Sequence, residues 1–301
     1  MISDIRRLRS LREVAWRGTV TAAAEAMGYT PSAVSQQLAA LEKDVGVSLL
    51  ERRGRNVALT DAGRILVDHT DDVLSSIERA EAAVAELHDE PVGTVRIGAL
   101  ASATSSILPL ALRTALFEYP RLEPEVIVHP LDENLRELRL GTIDLAIEQQ
   151  YTLSPHDLFE DLEQTVLIEE PLLLLTPAPE PRATVAEAAD LPWVTSPPGS
   201  SDAQSVRLIT ANAGISPRFA YQTDDNHTTV SLVQAGLAAA VVPNLALLGR
   251  SEGLNVAVVP GAFRIISALN RPASRLRPAI TAIIDHLEAA APEFAFHPDA
   301  G

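Results

Sequence analysis

The stretch MGYTPSAVSQQLAALEKD, residues 27–44, decides how the N-terminal part of this 301-residue chain folds. Its apolar residues recur at spacings of four, three and four, at Val34, Leu38, Leu41 and Val45. This spacing predicts a helix with one apolar face. The opposite face carries small, polar or basic residues, namely Ser32, Gln36, Ala39, Ala40 and Lys43. Hydroxyl and amide groups on such a face can bond the base edges and phosphates of a nucleic acid.

Signals on both sides of this helix predict a helix-turn-helix. Thr30 or Ser32 can cap the helix, and Pro31 suits its first turn. Upstream, Thr19 can cap an alanine-rich helix, and Gly28 suits the left-handed residue that ends it. Two helices joined by a short turn that contains glycine form the DNA-binding arrangement. A further helix, which covers the pair, is predicted from Ile5, Leu8, Leu11 and Ala15.

After this helix the chain has the pattern of a basic wing. Two short strands are predicted at residues 49–50 and 57–59, and a basic loop lies between them. Its arginines, Arg52, Arg53 and Arg55, can reach phosphates. Residues 1–60 hold nine basic and six acidic side chains, whereas the whole chain has a net charge of −16. This asymmetry favours an N-terminal part that meets a polyanion, with a chance variation of surface charge as the alternative.

The N-terminal segment resembles the winged helix-turn-helix of LysR-type transcriptional regulators. The resemblance rests on motifs in order: Ser35-Gln36-Gln37, Leu41-Glu42, Gly46-Val47, Glu51-Arg52 and Thr60-Asp61-Ala62-Gly63. We expect the DNA contacts to come from Thr30, Pro31, Ser32, Ser35, Gln36, Ala39, Lys43, Arg52, Arg53 and Arg55. Many members carry Arg where Gln36 stands. The base read there should differ, because Arg prefers guanine and Gln prefers adenine.

Residues 61–90 are predicted to form a long linker helix. An a/d spacing sustained for three heptads runs through Leu66, Thr70, Val73, Ile77, Ala80, Val84 and Leu87. We expect this seam to join two chains, which would place two winged modules on two half-sites. A long helix that lies on its own domain is the alternative. The family resemblance implies a homotetramer, a dimer of dimers, so the expected partner is a second copy in a homodimer or homotetramer.

From Gly93 onward strands and helices alternate, which predicts α/β units with a parallel sheet. Two such sets would form two lobes joined by crossings near Gln164 and Arg264. This part resembles the periplasmic-binding-protein-like effector domain of LysR-type regulators. The predicted fold class is therefore α/β, with an N-terminal all-α winged helix-turn-helix and a C-terminal two-lobed effector domain. The predicted domains are residues 1–60 (winged helix-turn-helix), 61–90 (linker) and 91–301 (effector domain, with lobe I at about 91–163 and 265–301 and lobe II at about 164–264).

Small ligands bind such folds beyond the carboxyl ends of the strands, where helix N-termini offer free N–H groups. We expect effector contacts from the loops in that place, at Ala101, Ser102, Thr104, His129, Ser196, Gly199, Ser200, Ser201, Asp225 and Asn226. Ordinary loop and capping roles are the alternative for each. If Asp224 or Asp225 faces the ligand, an amine-bearing effector such as an amino acid would fit. Otherwise the pair is solvated or caps the following helix.

No motif in the sequence indicates an enzyme or a metal site. HExxH, GxSxG, P-loop and contextual GxGxxG patterns are absent, cysteine is absent, and the seven histidines lack metal-ligand spacing. A pyridoxal-phosphate body fused to a winged helix would need a Schiff-base lysine. The only lysine, Lys43, lies in the DNA-binding segment. We therefore expect no catalysis, no cofactor and no metal.

The N-terminal residues do not lead into a signal-peptide-like apolar run, and no stretch of 18 apolar residues follows. A cytoplasmic protein without a membrane partner is expected. Its predicted partners are double-stranded operator DNA, a small-molecule effector and itself. The competing hypothesis is an amino-acid-like ligand-binding protein with no role on DNA.

Overall fold

The computed structural model describes residues 2, 4–53, 56–85, 87, 90–154, 159, 161–178, 182–247 and 249–296. For Arg52, Arg53, Asn56 and Glu81 it describes the backbone alone. The chain divides into two compact units, residues 1–87 and 88–301.

In the first unit short helices precede a β-hairpin and a long helix. The elements are α1 (Ile5–Arg17), α2 (Val20–Ala26), α3 (Pro31–Val45), β1 (Leu50–Arg53), β2 (Asn56–Leu59) and α4 (Asp61–Ala85). The apolar faces of α1, α2 and α3 meet in a core that includes Leu11, Ala24, Leu41 and Leu49. The predicted helix-turn-helix is confirmed, because Thr19 caps α2 and Gly28 takes the left-handed conformation in the turn (φ 65°). The predicted wing strands are confirmed as the antiparallel pair β1–β2.

The second unit begins at β3 and alternates between strands and helices. Its elements are β3 (Gly93–Ala99), α5 (Ala101–Thr104), α6 (Ile107–Glu118), β4 (Leu122–Val128), α7 (Leu131–Leu140), β5 (Leu145–Tyr151), β6 (Glu163–Pro177), β7 (Trp193–Thr195), α8 (Ser201–Asn212), β8 (Phe219–Gln222), α9 (Asn226–Gln234), β9 (Ala240–Pro243), β10 (Leu254–Asn270) and α10 (Pro278–Ala290). Short 3-10 turns lie at Ala186–Ala188, Asn244–Ala246, Ser274–Leu276 and Ala291–Phe294.

The main sheet has the order β4-β3-β5-β10-β6-β9, and β7 pairs with β8 beside it. Strands β4, β3 and β5 are parallel, as are β7 and β8. The long strands are antiparallel, since β10 runs opposite to both β5 and β6, and β9 runs opposite to β6. The prediction of a parallel sheet is thus confirmed for the βα units but wrong for β6 and β10. These two strands carry the chain from one apolar core to another and back.

The second unit has several apolar cores, and two of them meet along these long strands. Ile168 and Ile266 belong to the first core, which α6 and α10 cover, whereas Leu172 and Ala262 belong to the second. Between the cores Glu170 of β6 lies opposite Arg264 of β10, while Gln164 lies opposite Leu269 at the far end of β6. A bulge precedes this point, because four residues of β10 (259–262) oppose a single residue of β6.

Among the helices that the structure describes, none combines the length and apolar character that a membrane crossing requires.

Candidate functional site

The first candidate surface is the outer face of α3. Thr30 caps this helix by accepting a hydrogen bond from the backbone N of Ala33 at 3.2 Å, and Pro31 is its first residue. Val34, Leu38 and Leu41 are buried against the first-unit core. The predicted contact residues on the helix and its cap are all exposed: Thr30, Pro31, Ser32, Ser35, Gln36, Ala39 and Lys43. One face of α3 is therefore open to a partner.

The adjacent glutamines of α3 take opposite roles. Gln37 points inward, and its Oε1 accepts a hydrogen bond from the buried Ser10. Gln36 is exposed and has no hydrogen-bond partner within the described part of the chain. Ser35 donates its hydroxyl proton to the carbonyl of Pro31 at 2.8 Å. The Gln36 amide therefore retains both its donor and its acceptor for an external partner.

Three residues of the sequence motifs hold the wing in place. The Glu42 carboxylate accepts hydrogen bonds from the backbone N of Leu49 and Leu50 at 2.8 and 3.3 Å. Thr60 donates to the carbonyl of Ser48 and accepts from the backbone N of Gly63. A Cβ at Gly63 would lie 2.2 Å from the Leu49 carbonyl oxygen, so only glycine fits. Glu42, Thr60 and Gly63 thus have architectural roles.

The basic residues of the first unit fall into two groups. On α1, Arg7 pairs with Asp44 at 2.6 Å, Arg12 pairs with Asp71 at 2.9 Å, and Arg17 pairs with Glu13. These arginines hold the unit together and leave less free charge on α1 than the sequence indicates. The second group is the wing arginines. The structure describes the backbone alone for Arg52 and Arg53, and Arg55 lies outside the described residues.

The second candidate site is a polar network around Arg264, which lies where the first and second cores of the second unit meet. The Arg264 guanidinium is almost wholly buried and donates to the Glu170 carboxylate, with Nε 2.7 Å from Oε1. Its Nη1 donates to the Ser102 hydroxyl at 3.0 Å and to Gln149 Oε1 at 2.8 Å. Glu170 also accepts from the backbone N of Leu245 at 2.6 Å. We call Arg264, Glu170, Ser102 and Gln149 the Arg264 network.

The partly buried Asp202 and the buried Tyr151 and Ser196 form a carboxyl cluster that adjoins this network. The Ser196 hydroxyl donates to Asp202, and the Tyr151 hydroxyl interacts with the same carboxyl. Burial raises the pKa of Asp202, although both hydroxyls act in the opposite direction. Burial likewise raises the pKa of Tyr151 well above its usual value. The charge of Arg264 acts on both groups, which shows that the cluster and the network lie close together.

A third polar group lies under the loop that carries His129. Asn134 donates to Glu148 Oε1 at 2.5 Å and to the His129 carbonyl at 3.3 Å. Burial raises the pKa of Glu148 to about 7, and the Asn134 hydrogen bond opposes this rise. A Cβ at Gly98 would lie 2.2 Å from Asn134 Oδ1, so the strand needs glycine there for the amide to fit.

The predicted effector residues divide between these groups and ordinary local roles. Ser102 lies in the Arg264 network, and Ser196 lies in the carboxyl cluster. Thr104 donates to the Ala101 carbonyl within α5, and Ala101 is exposed. Gly199 takes a positive φ in the loop before α8, Ser200 caps α8 by accepting from Ala203 N, and Ser201 is its first residue.

Asp225 caps α9, where its carboxylate accepts from the backbone N of His227 and Thr228 and from the Thr228 hydroxyl. The Thr228 hydroxyl in particular lowers the pKa of Asp225. Asn226 begins the same helix. Asp225 therefore has the helix-capping role that was the alternative to ligand binding.

Sequence reasoning missed Gln149, Tyr151, Glu170, Asp202 and Arg264 as members of these groups. A signal was present for one of them, because Arg264 is the one charged residue in the long strand β10. A charged residue in such a strand is rarely buried unless it is paired. No group of His, Asp and Glu side chains among the described residues could hold a metal ion.

The fold and these surfaces define a class of protein, a DNA-binding regulator with an attached ligand-binding domain. Residues 5–64 match the model of the bacterial regulatory helix-turn-helix protein of the lysR family, and residues 88–292 match that of the LysR substrate binding domain. The chain belongs to the LysR family of transcription regulators. It is thus a LysR-type DNA-binding transcription regulator with an effector-binding domain, and its family consists of regulators rather than enzymes.

Similar proteins agree with this assignment. The uncharacterized HTH-type transcriptional regulator YnfL of Escherichia coli (strain K12) is 30% identical over 251 residues, covering 80% of this chain and 82% of YnfL. The transcriptional dual regulator GltC of Bacillus subtilis (strain 168) is 30% identical over 245 residues, covering 80% of each. The crystal structure of full-length CbnR complexed with its target DNA is similar with a TM-score of 0.54 and 25% identity, covering 96% of this chain and 100% of CbnR.

Proposed function

We propose that α3 reads operator DNA in the major groove through Gln36, while the wing arginines Arg52, Arg53 and Arg55 contact phosphates. The observation that carries this proposal is the exposed face of α3, on which Gln36 has no partner within the described chain. Glutamine can pair with adenine through two hydrogen bonds, whereas arginine contacts to phosphate are independent of sequence. Ser32, Ser35, Ala39 and Lys43 flank Gln36 on the same side.

Operator binding by substituted proteins tests this division. We expect Gln36→Ala to cost about 1–3 kcal/mol on the preferred operator and to change the base preferred at one position. Arg52→Ala should weaken binding to all fragments alike and reduce the salt dependence by about one counterion. Gln204→Ala, on the exposed side of α8, is the matched control. Equal losses on every operator for Gln36→Ala and Arg52→Ala would overturn the proposal.

We propose further that α4 joins two chains, in a homodimer or in a tetramer built from two dimers. Along the predicted seam Val73, Ala80, Val84 and Leu87 are exposed in the single chain, with Val84 at 63% and Leu87 at 83%. Leu66 and Ile77 are half-buried, and Thr70 is buried. Apolar residues exposed at heptad spacing support pairing with an identical helix.

For the effector we propose a site at the Arg264 network, with Ser196 and the His129 loop nearby, and a ligand that carries a hydrogen-bond acceptor such as a carboxylate. A guanidinium has donors only, so Ser102 and Gln149 must present acceptors to it. Their own donors, the Ser102 hydroxyl proton and the Gln149 amide N–H groups, then point elsewhere. In the described residues neither donor has an acceptor, and both side chains are partly exposed. Asp225 already accepts three hydrogen bonds as the cap of α9, which does not favour an amine-bearing ligand.

Binding at this place would change gene regulation only if the ligand prefers one arrangement of the two cores over another. We propose that the preferred arrangement alters the spacing of paired DNA-binding units and so the bending of the operator. The regulator would act in the cytoplasm, where operator DNA is available.

Thermal shift with a panel of metabolite carboxylates tests the ligand class. We expect at least one carboxylate to stabilise the wild-type protein and to lose this effect in Ser102→Ala. Ser105→Ala is the control, because Ser105 is exposed in the next turn and donates only to its own helix. If the stabilising compounds carry amines without acceptors, or if Ser102→Ala responds as the wild type does, the ligand assignment fails.

A further inference from the structure

We propose that the second unit contains an additional small-molecule site, which takes a neutral, apolar compound about the size of one or two rings. It is a groove of about 330 Å³ between Leu153, β6, residues 258–260 of β10, residues 183–186 and the end of α8. We call it the apolar groove. Its volume lies at the lower end of the range of about 300–1,000 Å³ that is typical of ligand pockets.

The lining of the apolar groove determines the class of ligand. Its floor consists of Leu174, Val185, Ile209 and Val259, which also belong to the second core. Thr184 and Asn212 are the polar side chains among the described lining residues, and none of these described residues is charged. A charged ligand would lose its hydration there without gaining a counter-charge, which is costly. The groove therefore selects neutral compounds.

Asn212 supplies one directional contact. It is exposed at the edge of the groove, and its amide has no hydrogen-bond partner among the residues whose placement is described. A hydroxyl or ring N–H on the ligand can bond the Asn212 carboxamide, because that group offers both a donor and an acceptor. A ring that carries one such group, such as a phenol or an indole, matches the groove.

The apolar groove is mechanically connected to the Arg264 network. Leu153 and Pro260 line the groove. The two segments that contain them are joined by hydrogen bonds between Thr152 and Phe263. Thr152 N donates to the Phe263 carbonyl at 3.0 Å, and Phe263 N donates to the Thr152 hydroxyl at 3.1 Å. Arg264 is the next residue along β10. A ligand in the groove thus contacts both segments that position Arg264, although the inference does not depend on the proposed effector.

Ligand-observed NMR titration of the full-length protein tests the site with phenol and indole as neutral probes and with benzoate as an anion of similar size. We expect saturable binding of phenol and indole, and binding of benzoate that is weaker by about tenfold or more. Ala213→Phe places a ring in the groove and should abolish probe binding. Ala211→Phe is the matched control, because Ala211 is exposed on the same helix but does not line the groove.

The inference is overturned if neither neutral probe saturates the wild-type protein, if benzoate binds as well as phenol, or if Ala213→Phe binds phenol as the wild type does. Should Ala213→Phe melt early, Val258→Asp replaces it, since Val258 is 48% exposed and tolerates a polar side chain. A carboxylate at this wall should weaken phenol binding by about tenfold. Ser102→Ala should leave phenol binding unchanged, which separates this site from the proposed effector site.

Discussion

Glu148 is a buried carboxyl whose only side-chain partner within the described structure is the neutral Asn134 amide. Its pKa of about 7 lies above the ordinary value of 4.5, chiefly because of burial, and the nearby Asp132 adds to the rise. The folded second unit therefore holds a proton that the unfolded chain releases between these two pH values. Folding stability must fall as the pH rises from about 4.5 to about 7, because the folded state binds more protons.

Glu148→Gln should remove this dependence. The amide keeps an oxygen for Asn134 but never ionises, so the variant should exceed the wild type by up to about 3 kcal/mol at pH 8 and match it near pH 4.5. Urea unfolding followed by Trp193 fluorescence in a Trp16→Phe background reports the second unit alone, since the chain has two tryptophans. The exposed Glu123→Gln is the control. Parallel pH curves for Glu148→Gln and the wild type would contradict the assignment.

At the scale of elements, α4 provides a test with two similarly exposed aliphatic residues that lie at different positions around the helix. Val84 is 63% exposed and lies on the heptad seam. Ile65 is 60% exposed and lies off the seam, directly before the seam residue Leu66. Val84→Glu would place a carboxylate on the apolar seam, where pairing would bury it, and should weaken the dimer by about tenfold or more. Ile65→Glu should leave the dimer intact.

Sedimentation equilibrium over a range of concentrations measures both variants. Dissociation by Ile65→Glu but not by Val84→Glu would show that another face of α4 joins the chains. Equal dissociation by both would mean that the heptad seam does not define the interface.

The elements themselves were largely predictable. For α3 the apolar spacing, Thr30 and Pro31 all lie within a few residues of one another, so local sequence determines where the helix begins and which face is buried. Glu42 was recognised as a motif position, but its contact with the wing was not predictable, because Leu49 lies beyond the end of the helix. For β6 and β10 the apolar runs predicted strands but not their full length or their antiparallel direction.

At the scale of the whole molecule, the Arg264–Glu170 pair connects the first and second cores of the second unit. The partners are 94 positions apart in the sequence and meet only because β6 and β10 are in register. No local pattern contains this information, which is why the effector residues were predicted from loops and the network beneath them was missed. Ser102 and Ser196 were singled out from the sequence because they stand near the ends of strands, where ligands usually bind, and their contact with an effector stays a prediction.

Removing one charge of this pair should be more damaging than removing both. Glu170→Gln leaves the buried Arg264 without its carboxylate and should cost about 3–5 kcal/mol. The double variant Glu170→Met, Arg264→Met should recover most of this loss, because no buried charge remains. Trp193 fluorescence in urea measures both.

Asp190→Asn breaks an exposed pair with Arg182 and is the control, with little expected change in stability. A double variant that is no more stable than Glu170→Gln would show that the pair is not the cause of the loss.

Glu42 has a consequence for how this regulator can evolve. Because the Glu42 carboxylate holds the backbone of Leu49 and Leu50 to α3, the helix and the wing, which we propose to contact one half-site, keep a constant separation. Every copy of the chain then fits a half-site of one length. A new operator sequence is then recognised by exchanging side chains on α3 and the wing, or by changing the distance between the two DNA-binding units of a dimer. A change of effector in the second unit can therefore leave the geometry of the half-site unaltered.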